Sequence, residues 1–298
     1  MNSSEMLFPV VGIGASAGGL EAVTELVAEL PAKTGMAFLL VQHLAPHQES
    51  FLTEILAGKA KIAVKSATDR GSIEPDHFYV IPPNTTLTVN DGVLRLASRG
   101  EAERPHQPVN ILFRSLAEEH GPRVVAVVLS GTDADGARGL EEVKAAGGIT
   151  MAQEPASAKY DGMPKSAIAT GCVDFVLTPK ELGRELVRIG RHPYLISPPP
   201  ADDPVPEENS LTRIFRLLQD QSGTDFSGYK RSTVQRRLAR RMALREIAGL
   251  SGYADLLKQD SAEINALAQD FLIRVTGFFR DPETFEGLRL GSDPAAQA

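Results

Sequence analysis

Ser16, His43 and Asp135 each follow closely after a short hydrophobic segment of this chain. If these segments are parallel strands of one open sheet, their carboxyl ends lie at the same edge and bring the three side chains together. In such an arrangement the histidine takes the proton of the serine, the aspartate orients the histidine, and the serine oxygen attacks an acyl carbon. The spacing therefore predicts a serine hydrolase.

The glycine-rich turn around Ser16 supports two different chemistries. Residues 12–19 read GIGASAGG and stand between a predicted strand and a predicted helix, where free backbone N–H groups meet the positive helix end. Such a turn can hold the pyrophosphate of a dinucleotide or the oxyanion of an acyl-transfer reaction. Dinucleotide-binding folds usually end the second strand on an acidic residue, whereas this chain has Gln42 and His43 there. This difference favours the nucleophile and keeps nucleotide binding as the alternative.

Each candidate also has a purely structural interpretation. Ser16 can cap a helix, and a lone histidine at a strand end is usually a hydrogen-bonded polar residue. Asp133 and Asp135 can both cap a helix over residues 137–145. The joint position of the candidates after three strands favours catalysis, with Asp133 as a rival to Asp135 for the third role.

Short aliphatic segments alternate with amphipathic segments up to about residue 190, as in a doubly wound α/β domain. Asn90, Asp91 and Gly92 lie between alternating apolar positions and predict a hairpin turn. The predicted fold class is α/β, with a doubly wound, mostly parallel sheet and one antiparallel hairpin, followed by a small all-α domain. Strands are predicted over residues 9–13, 37–41, 62–64, 77–81, 86–90, 93–97, 124–129, 149–152 and 172–176. Helices are predicted over residues 19–30, 50–56, 109–119, 136–146, 164–169 and 179–191.

A stretch rich in proline and acidic residues, SPPPADDPVPEEN, divides the chain. Such a composition cannot bury apolar surface and is typical of a stiff, solvated linker. Helical patterns without a convincing strand follow it. We predict a catalytic domain over residues 7–192, a linker over 193–209, a helical domain over 210–290 and a tail over 291–298.

The composition limits the classes of function. The net charge of -7 and the pI near 5.5 give no reason to expect nucleic acid binding. The single cysteine, Cys172, excludes an internal disulfide, and no apolar run is long enough for a membrane span, so a cytoplasmic protein without membrane insertion is expected. Cys172 itself lies in a strand pattern and is expected in the core. His43 and His47 have the spacing of a zinc pair without an obvious third ligand, so no metal is predicted.

Five segments of the first domain together resemble the CheB-type protein-glutamate methylesterase catalytic domain. They are residues 14–19 (GASAGG), 41–44 (VQHL), 109–115 (VNILFRS), 129–139 (LSGTDADGARG) and 162–169 (GMPKSAIA). The resemblance implies that Ser16 is the nucleophile, His43 the base and Asp135 the orienting acid. The family usually has glycine where Asp133 stands, which favours Asp135 as the third residue.

Two residues of the candidate site depart from the family pattern. Ala17 stands where the family usually has threonine, so this position can offer the oxyanion a backbone donor but no hydroxyl. Thr132 replaces the methionine of the aspartate loop and changes the wall of the oxyanion site. Both departures bear on the rate more than on the type of reaction.

The resemblance implies a substrate and a partner. Family members hydrolyse methyl esters on glutamate side chains of bacterial chemoreceptors and deamidate certain receptor glutamines, so the expected partner is the cytoplasmic domain of a methylated chemoreceptor. No cofactor is expected. The family often carries an amino-terminal receiver domain that occludes the site, and this chain begins directly with the esterase, so either regulation from elsewhere or a constitutively open site is expected. The alternative is a non-catalytic docking module among the signalling proteins of a larger fusion.

The second domain resembles the amino-terminal helical part of CheR-type receptor methyltransferases. On a helix, Val234, Leu238 and Met242 form an apolar stripe, and basic side chains lie off it. The resemblance implies that this basic face binds the methylation region of a receptor. The face consists of Arg236, Arg237, Arg240 and Arg241.

A cofactor contact is also implied by the second resemblance. Thr276 and Arg280 match family positions that touch S-adenosylmethionine. The larger domain that holds most of that cofactor should follow Arg280. The residues printed after Arg280 contain no glycine-rich loop. We therefore expect no methyl transfer by this chain. We interpret the chain as a candidate fragment of a longer fused protein.

Overall fold

The structure of the protein is a computed structural model that describes residues 8–43, 51–98, 107–196 and 208–272. The strands are β1 Val10–Ala15, β2 Ala37–Gln42, β3 Ala63–Ser66, β4 His77–Val80, β5 Thr85–Asn90, β6 Val93–Ser98, β7 Val124–Val128, β8 Ile149–Gln153 and β9 Phe175–Leu177. The helices are α1 Gly19–Ala28, α2 Leu52–Ala57, α3 Pro108–His120, α4 Ala137–Ala146, α5 Gly162–Ala169, α6 Pro179–Ile189, α7 Pro193–Ile196, α8 Glu208–Ser222, α9 Arg231–Leu244, α10 Leu250–Gln259 and α11 Ser261–Leu272.

Seven strands form one parallel sheet in the order β3-β4-β2-β1-β7-β8-β9. The central strands β1, β2 and β7 are almost entirely buried because helices cover both faces of the sheet, which is why they are continuous aliphatic runs. One face packs against α1 and α6 and the other against α3 and α4. The predicted doubly wound, mostly parallel fold is confirmed.

The predicted hairpin forms a separate two-stranded antiparallel sheet, β5 with β6. Asn90 pairs with Val93, and the two central turn residues, Asp91 and Gly92, have φ of 51° and 75°. Positive φ at both positions matches the right-handed twist of the flanking strands, which explains the turn sequence.

The absence of side chains at Gly12 and Gly14 lets α3 lie directly on β1. A Cβ atom at Gly14 would come within 2.2 Å of Val109 Cγ1, and one at Gly12 within 2.7 Å of Leu116 Cδ1. Because Val109 is in the first turn of α3, this close approach brings the start of that helix to the carboxyl end of β1. The glycines near Ser16 thus serve packing as well as the turn.

The helices α8 to α11 pack around a core of their own. Phe226 and Phe271 stack in this core with ring centroids 5.0 Å apart. Val234 and Leu238 of α9 are buried in it, and Met242 packs against it, as the apolar stripe predicts. Among the residues described, no helix is long and apolar enough to span a membrane.

Most element bounds differ from the prediction by a residue or two, and two larger differences affect how the chain is organised. The last strand begins at Phe175 instead of residue 172, and just before it the carboxylate of Asp174 accepts from the backbone N–H of Thr150 at 2.9 Å. Cys172 therefore lies before the strand, half-buried, and burial raises the pKa of its thiol. The predicted linker contains the short helix α7, whose Leu195 is fully buried in the core of the first domain.

Candidate active site

The register of the sheet places Ser16 and His43 next to each other. Ala15 is paired with Gln42 at the ends of β1 and β2, and the N–H of His43 donates to the carbonyl of Ala15 at 3.0 Å. Ser16 and His43 are the residues that follow these paired ends. On the other side of β1, the N–H of Ser16 donates to the carbonyl of Ser130 at 2.9 Å, so the serine lies between the loops that follow β2 and β7.

The imidazole of His43 faces two carboxylates. Its Nε2 is 3.0 Å from Oδ2 of Asp135, and its Nδ1 is 3.4 Å from Oδ2 of Asp133. The two aspartates differ in burial, because the side chain of Asp135 is 2% exposed and that of Asp133 is 48% exposed. The structure thus separates the two rivals: the buried Asp135 holds one nitrogen and the solvated Asp133 lies at the other.

Asp135 is held as an acceptor by the backbone. Its Oδ2 accepts from the N–H of Val109, and its Oδ1 accepts from the N–H groups of Asn110 and Gly136, each at 2.9 Å. The first two donors belong to the first turn of α3, where the helix dipole favours a negative charge. A carboxylate with three backbone donors is fixed in orientation and can accept a further hydrogen bond from His43.

The turn after Ser16 presents an uncapped helix end. Gly18 precedes α1 with φ of 72°, has no side chain to cap the helix, and lies where a Cβ would come within 2.7 Å of Ser130 Oγ. The N–H of Gly19 donates to the carbonyl of Ser16 at 2.9 Å. First-turn N–H groups of an uncapped helix are available to an anion, which is the requirement of an oxyanion site.

The two residues that depart from the family pattern lie in different loops, Ala17 in this turn and Thr132 in the loop after β7. Ala17 is half-buried, and its carbonyl accepts from the hydroxyl of Ser130 at 2.8 Å, so its backbone is fixed next to the serine. Thr132 is exposed in the loop between β7 and α4. His47, Thr276 and Arg280 lie outside the described residues.

Three supporting residues were not singled out from the sequence. Asn110 Oδ1 accepts from the N–H groups of Gly136 and Gly139, which ties α3 to α4 beside Asp135. Ser130 bridges the loops of Ala17 and Tyr160 through its hydroxyl, and its own N–H donates to Gln153 Oε1 at 2.9 Å. Asn110 is a polar residue in the first turn of a helix and Ser130 one that follows a strand, but their partners are far away in the sequence.

A cleft of about 400 Å³ adjoins the turn at Gly18. Its walls carry both signs of charge, with Glu21 and Glu25 on one side and Lys159 and Lys180 among the facing residues. Glu21 and Lys159 form an exposed ion pair at 3.3 Å. The lining residue Gly18 lies two positions after Ser16 in the chain.

Comparison with known proteins decides the family. The sequence profile of the CheB methylesterase family matches residues 11–186, which is more than half of the chain. The chain belongs to the CheB methylesterase family. A second profile, that of the all-alpha domain of CheR methyltransferases, matches residues 209–272.

Individual relatives agree with this assignment. The crystal structure of the Thermotoga maritima CheB methylesterase catalytic domain superimposes with a TM-score of 0.57 at 27% identity, covering 61% of this chain and 98% of that one. Protein-glutamate methylesterase/protein-glutamine glutaminase 2 of Methanosarcina mazei is 35% identical over 191 residues, 61% of this chain and 52% of that protein. An uncharacterised 104.1 kDa protein of Rhodobacter capsulatus is 38% identical over 259 residues, 80% of this chain and 27% of that protein.

The CheB methylesterase domain and the CheR-type helical domain meet at the arginines of α9. Arg237 donates to the carbonyls of Lys144 and Ala145 at 3.1 and 3.0 Å, and Arg240 Nε donates to the carbonyl of Gly148 at 3.0 Å. These carbonyls lie at and just beyond the carboxyl end of α4, where a helix offers unpaired acceptors and negative dipole charge. The arginines therefore cap a helix of the methylesterase domain.

The interface between the two domains, called the joint below, also contains a buried cluster of charged side chains. Arg240 is fully buried and forms ion pairs with Asp174 and with Asp270. Lys144 lies 3.2 Å from Asp174 and 3.6 Å from Asp270. Burial alone would lower the pKa of Arg240, but the charges of the two aspartates outweigh it and raise the pKa above its usual value. Conversely, burial would raise the pKa of Asp174, but the charges of Arg240 and Lys144 lower it.

The structure places the arginines that the resemblance assigns to receptor binding largely inside the protein. Arg237, Arg240 and Arg241 are buried, and Arg241 is paired with Glu263 of the helical domain at 2.9 Å. Arg236 is partly buried and packs beside Gly147 of the methylesterase domain. A basic helix face predicts polar partners but does not identify them. Here the partners lie at the interface between the two domains and inside the helical domain.

Proposed function

We propose that this chain is a serine hydrolase that demethylates glutamyl side chains of bacterial chemoreceptors and deamidates receptor glutamines. The observation that carries the proposal is the contact of His43 with the buried Asp135, at 3.0 Å, immediately beside the serine at the end of β1. Relatives are named protein-glutamate methylesterase and protein-glutamine glutaminase, which supports the same pair of substrates here.

The geometry assigns a role to each nitrogen of His43. Because Nε2 faces Asp135, this nitrogen carries a proton and donates it in a hydrogen bond to the carboxylate. Nδ1 is then the nitrogen that receives the proton of Ser16 as its oxygen attacks the ester carbon. Asp135 stabilises the imidazolium that results.

The proposed reaction has two steps, the formation of an acyl-enzyme and its hydrolysis. The carbonyl oxygen of the substrate becomes negative as the Ser16 oxygen bonds to the acyl carbon, and backbone N–H groups such as that of Ala17 stabilise it. Collapse of this intermediate expels methanol, which takes the proton from His43. Water then attacks the acyl-enzyme by the same route and releases the glutamate side chain. A glutamine side chain follows the same steps with ammonia as the leaving group.

A receptor segment would reach the serine through the cleft beside Gly18. The mixed charges of the cleft, Glu21 and Glu25 against Lys159 and Lys180, fit a polar helix of a receptor better than an apolar ligand. The proposed partner is the cytoplasmic domain of a methylated chemoreceptor, and the proposed compartment is the cytoplasm. The steps use side chains and water alone, and we propose neither a cofactor nor methyl transfer for this chain.

The test is methanol release from a methylated receptor by the intact chain and two variants. Ser16→Ala and His43→Gln should each lower the rate by about 10³-fold or more, because removing a member of such a set disables the others. Ser98→Ala, which alters an exposed serine at the end of β6, should retain full activity. Equal methanol release by all four proteins would favour the non-catalytic docking module instead.

A further inference from the structure

Asp133 contacts both of the residues proposed to act on Ser16, and it does so with different oxygens. Its Oδ2 lies 3.4 Å from Nδ1 of His43. Its Oδ1 accepts from the backbone N–H of Asp135 at 2.9 Å. One carboxylate therefore reaches the imidazole and, at the same time, fixes the loop that carries the buried aspartate.

The chemistry of the two nitrogens determines when the Asp133 contact is favourable. Nε2 already faces Asp135, and an ionised carboxylate can only accept hydrogen bonds. The contact of Asp133 with Nδ1 is attractive when Nδ1 carries a proton and repulsive to its lone pair when it does not. Two carboxylates on one ring therefore favour the imidazolium over the neutral base.

We propose that Asp133 is a positioning residue that stabilises protonated His43 and so raises the pH at which the hydrolase becomes active. At low pH it holds the proton on the nitrogen that must accept from Ser16. At higher pH Nδ1 loses this proton and becomes available as the base. The consequence for the rate rests on the proposed function, whereas the effect on the imidazole does not.

Both aspartates near the ring favour the protonated imidazole, and the helix end that offsets part of this effect acts on Asp135 and not on Asp133. Asp133 and Asp135 come from the loop between β7 and α4, and the positive amino-terminal end of α3 acts on Asp135 through its two N–H donors. Asp133 is the solvated member of the pair, with a side chain 48% exposed. Water and salt screen its charge, so we expect a shift of about half a pH unit to one pH unit.

Two variants separate the charge of Asp133 from its structural contact. Asp133→Asn removes the charge and keeps an amide oxygen that can accept from the N–H of Asp135. Asp133→Ala removes both. Asp220→Asn, in an exposed position of α8, removes the same charge from the helical domain as a control.

The first measurement is the NMR titration of the His43 ring protons in the intact chain, with the signal assigned by its loss in His43→Gln. The midpoint should fall by about half a pH unit or more in Asp133→Asn and stay unchanged in Asp220→Asn. Raising the salt to about 1 M should move the wild-type midpoint towards that of Asp133→Asn, because the screening length drops to about 3 Å. An unchanged midpoint in Asp133→Asn would overturn the proposal.

The second measurement is the pH profile of kcat/KM for methyl ester hydrolysis. The acidic limb should shift to lower pH in Asp133→Asn by the same amount as the NMR midpoint. Asp133→Ala should show this shift together with a lower plateau rate, because the loop of Asp135 loses an acceptor. If no variant hydrolyses the ester, the proposed function fails, while the NMR titration still decides the role of Asp133.

Discussion

The two ends of α4 use charged side chains in opposite ways. At the amino-terminal end, His43 lies between two aspartates beside the edge of the sheet that we propose to be catalytic, called the catalytic edge below, and one of these aspartates is half-exposed. At the carboxyl-terminal end, Arg240 and its aspartates are completely enclosed between the two domains. The helix has 10 residues, so about 15 Å separates the two clusters.

The difference shows how burial decides what a charge does. A buried charged group that is fully paired with opposite charges cannot gain or lose a proton within the physiological pH range. Such a group can only stabilise the contact between structural elements. A partly solvated imidazole between two carboxylates can gain and lose a proton. Substitutions at the joint should therefore change the free energy of unfolding and leave the rate of hydrolysis unchanged. Substitutions at the catalytic edge should mainly change the rate of hydrolysis.

The strongest test of this comparison is Arg240→Met. The variant leaves Asp174 and Asp270 buried beside Lys144 alone, and we expect a loss of about 3–5 kcal/mol in the free energy of unfolding. Urea unfolding of the intact chain measures this loss. The rate of ester hydrolysis per folded molecule should not change, because the catalytic edge is at the other end of α4.

The matched control for Arg240→Met is Arg213→Met, which breaks an ion pair with Asp255 at the surface of the helical domain. An exposed pair of this kind contributes about 1 kcal/mol or less. Similar losses for the two variants, or a lower rate per folded molecule in Arg240→Met, would contradict the comparison.

His120 sharpens the comparison, because it is a buried basic group whose ring meets no acidic side chain in the part of the protein that the structure describes. Its Nε2 has no hydrogen-bond partner among the described residues, and burial, assisted by Arg123, lowers its pKa to about 4. Between about pH 6.5 and pH 4 the unfolded chain binds more protons than the folded one, so stability falls as the pH falls through this range. The difference corresponds to about 3 kcal/mol.

The measurement for His120 is the free energy of unfolding at pH 7 and pH 4.5 for the wild type and His120→Gln. Glutamine does not titrate, so the variant should lose less stability on acidification, while all other groups contribute equally to both proteins. Equal losses in the two proteins would mean that His120 is solvated enough to bind its proton in the folded state.

The smallest expected change in stability comes from Gly131→Ala at the catalytic edge. A Cβ there would come within 2.0 Å of Met163 Sδ and 2.9 Å of Ser16 Cβ, so either neighbour must move. We expect about 1–3 kcal/mol of destabilisation and a fall in kcat/KM of roughly 10-fold to 100-fold, because a small displacement of the nucleophile is costly. Gly228→Ala, where a Cβ meets nothing within 4 Å, is the control and should change neither.

Several features could be predicted because they depend on short stretches of sequence. The aliphatic runs at β1, β2 and β7 predicted buried parallel strands, and Ser16 and His43 follow directly from where two of these runs end. The hairpin turn at Asn90 to Val93 was predictable because only a few residue types tolerate positive φ.

Other features depend on residues that are distant in the chain. Asp135 and Asp133 face opposite nitrogens of His43. His43 is 92 positions away from Asp135 in the chain, so no local pattern predicts this arrangement. Asn110 and Ser130 support the site through partners that no local pattern identifies. The contact of Asp174 with Thr150 just before β9 joins residues 24 positions apart and is likewise invisible to local patterns.

The sequence by itself determined the strands and the candidate nucleophile and base, because hydrophobic periodicity and turn chemistry act over a few residues; the family followed from motifs that resemble those of known proteins. Only the tertiary structure decided what the arginines of α9 meet. Periodicity shows that a helix face is polar, but solvent, a partner and a second domain all satisfy such a face. In this protein the carbonyls at the end of α4 and the buried aspartates satisfy it, and the basic helix joins the two domains.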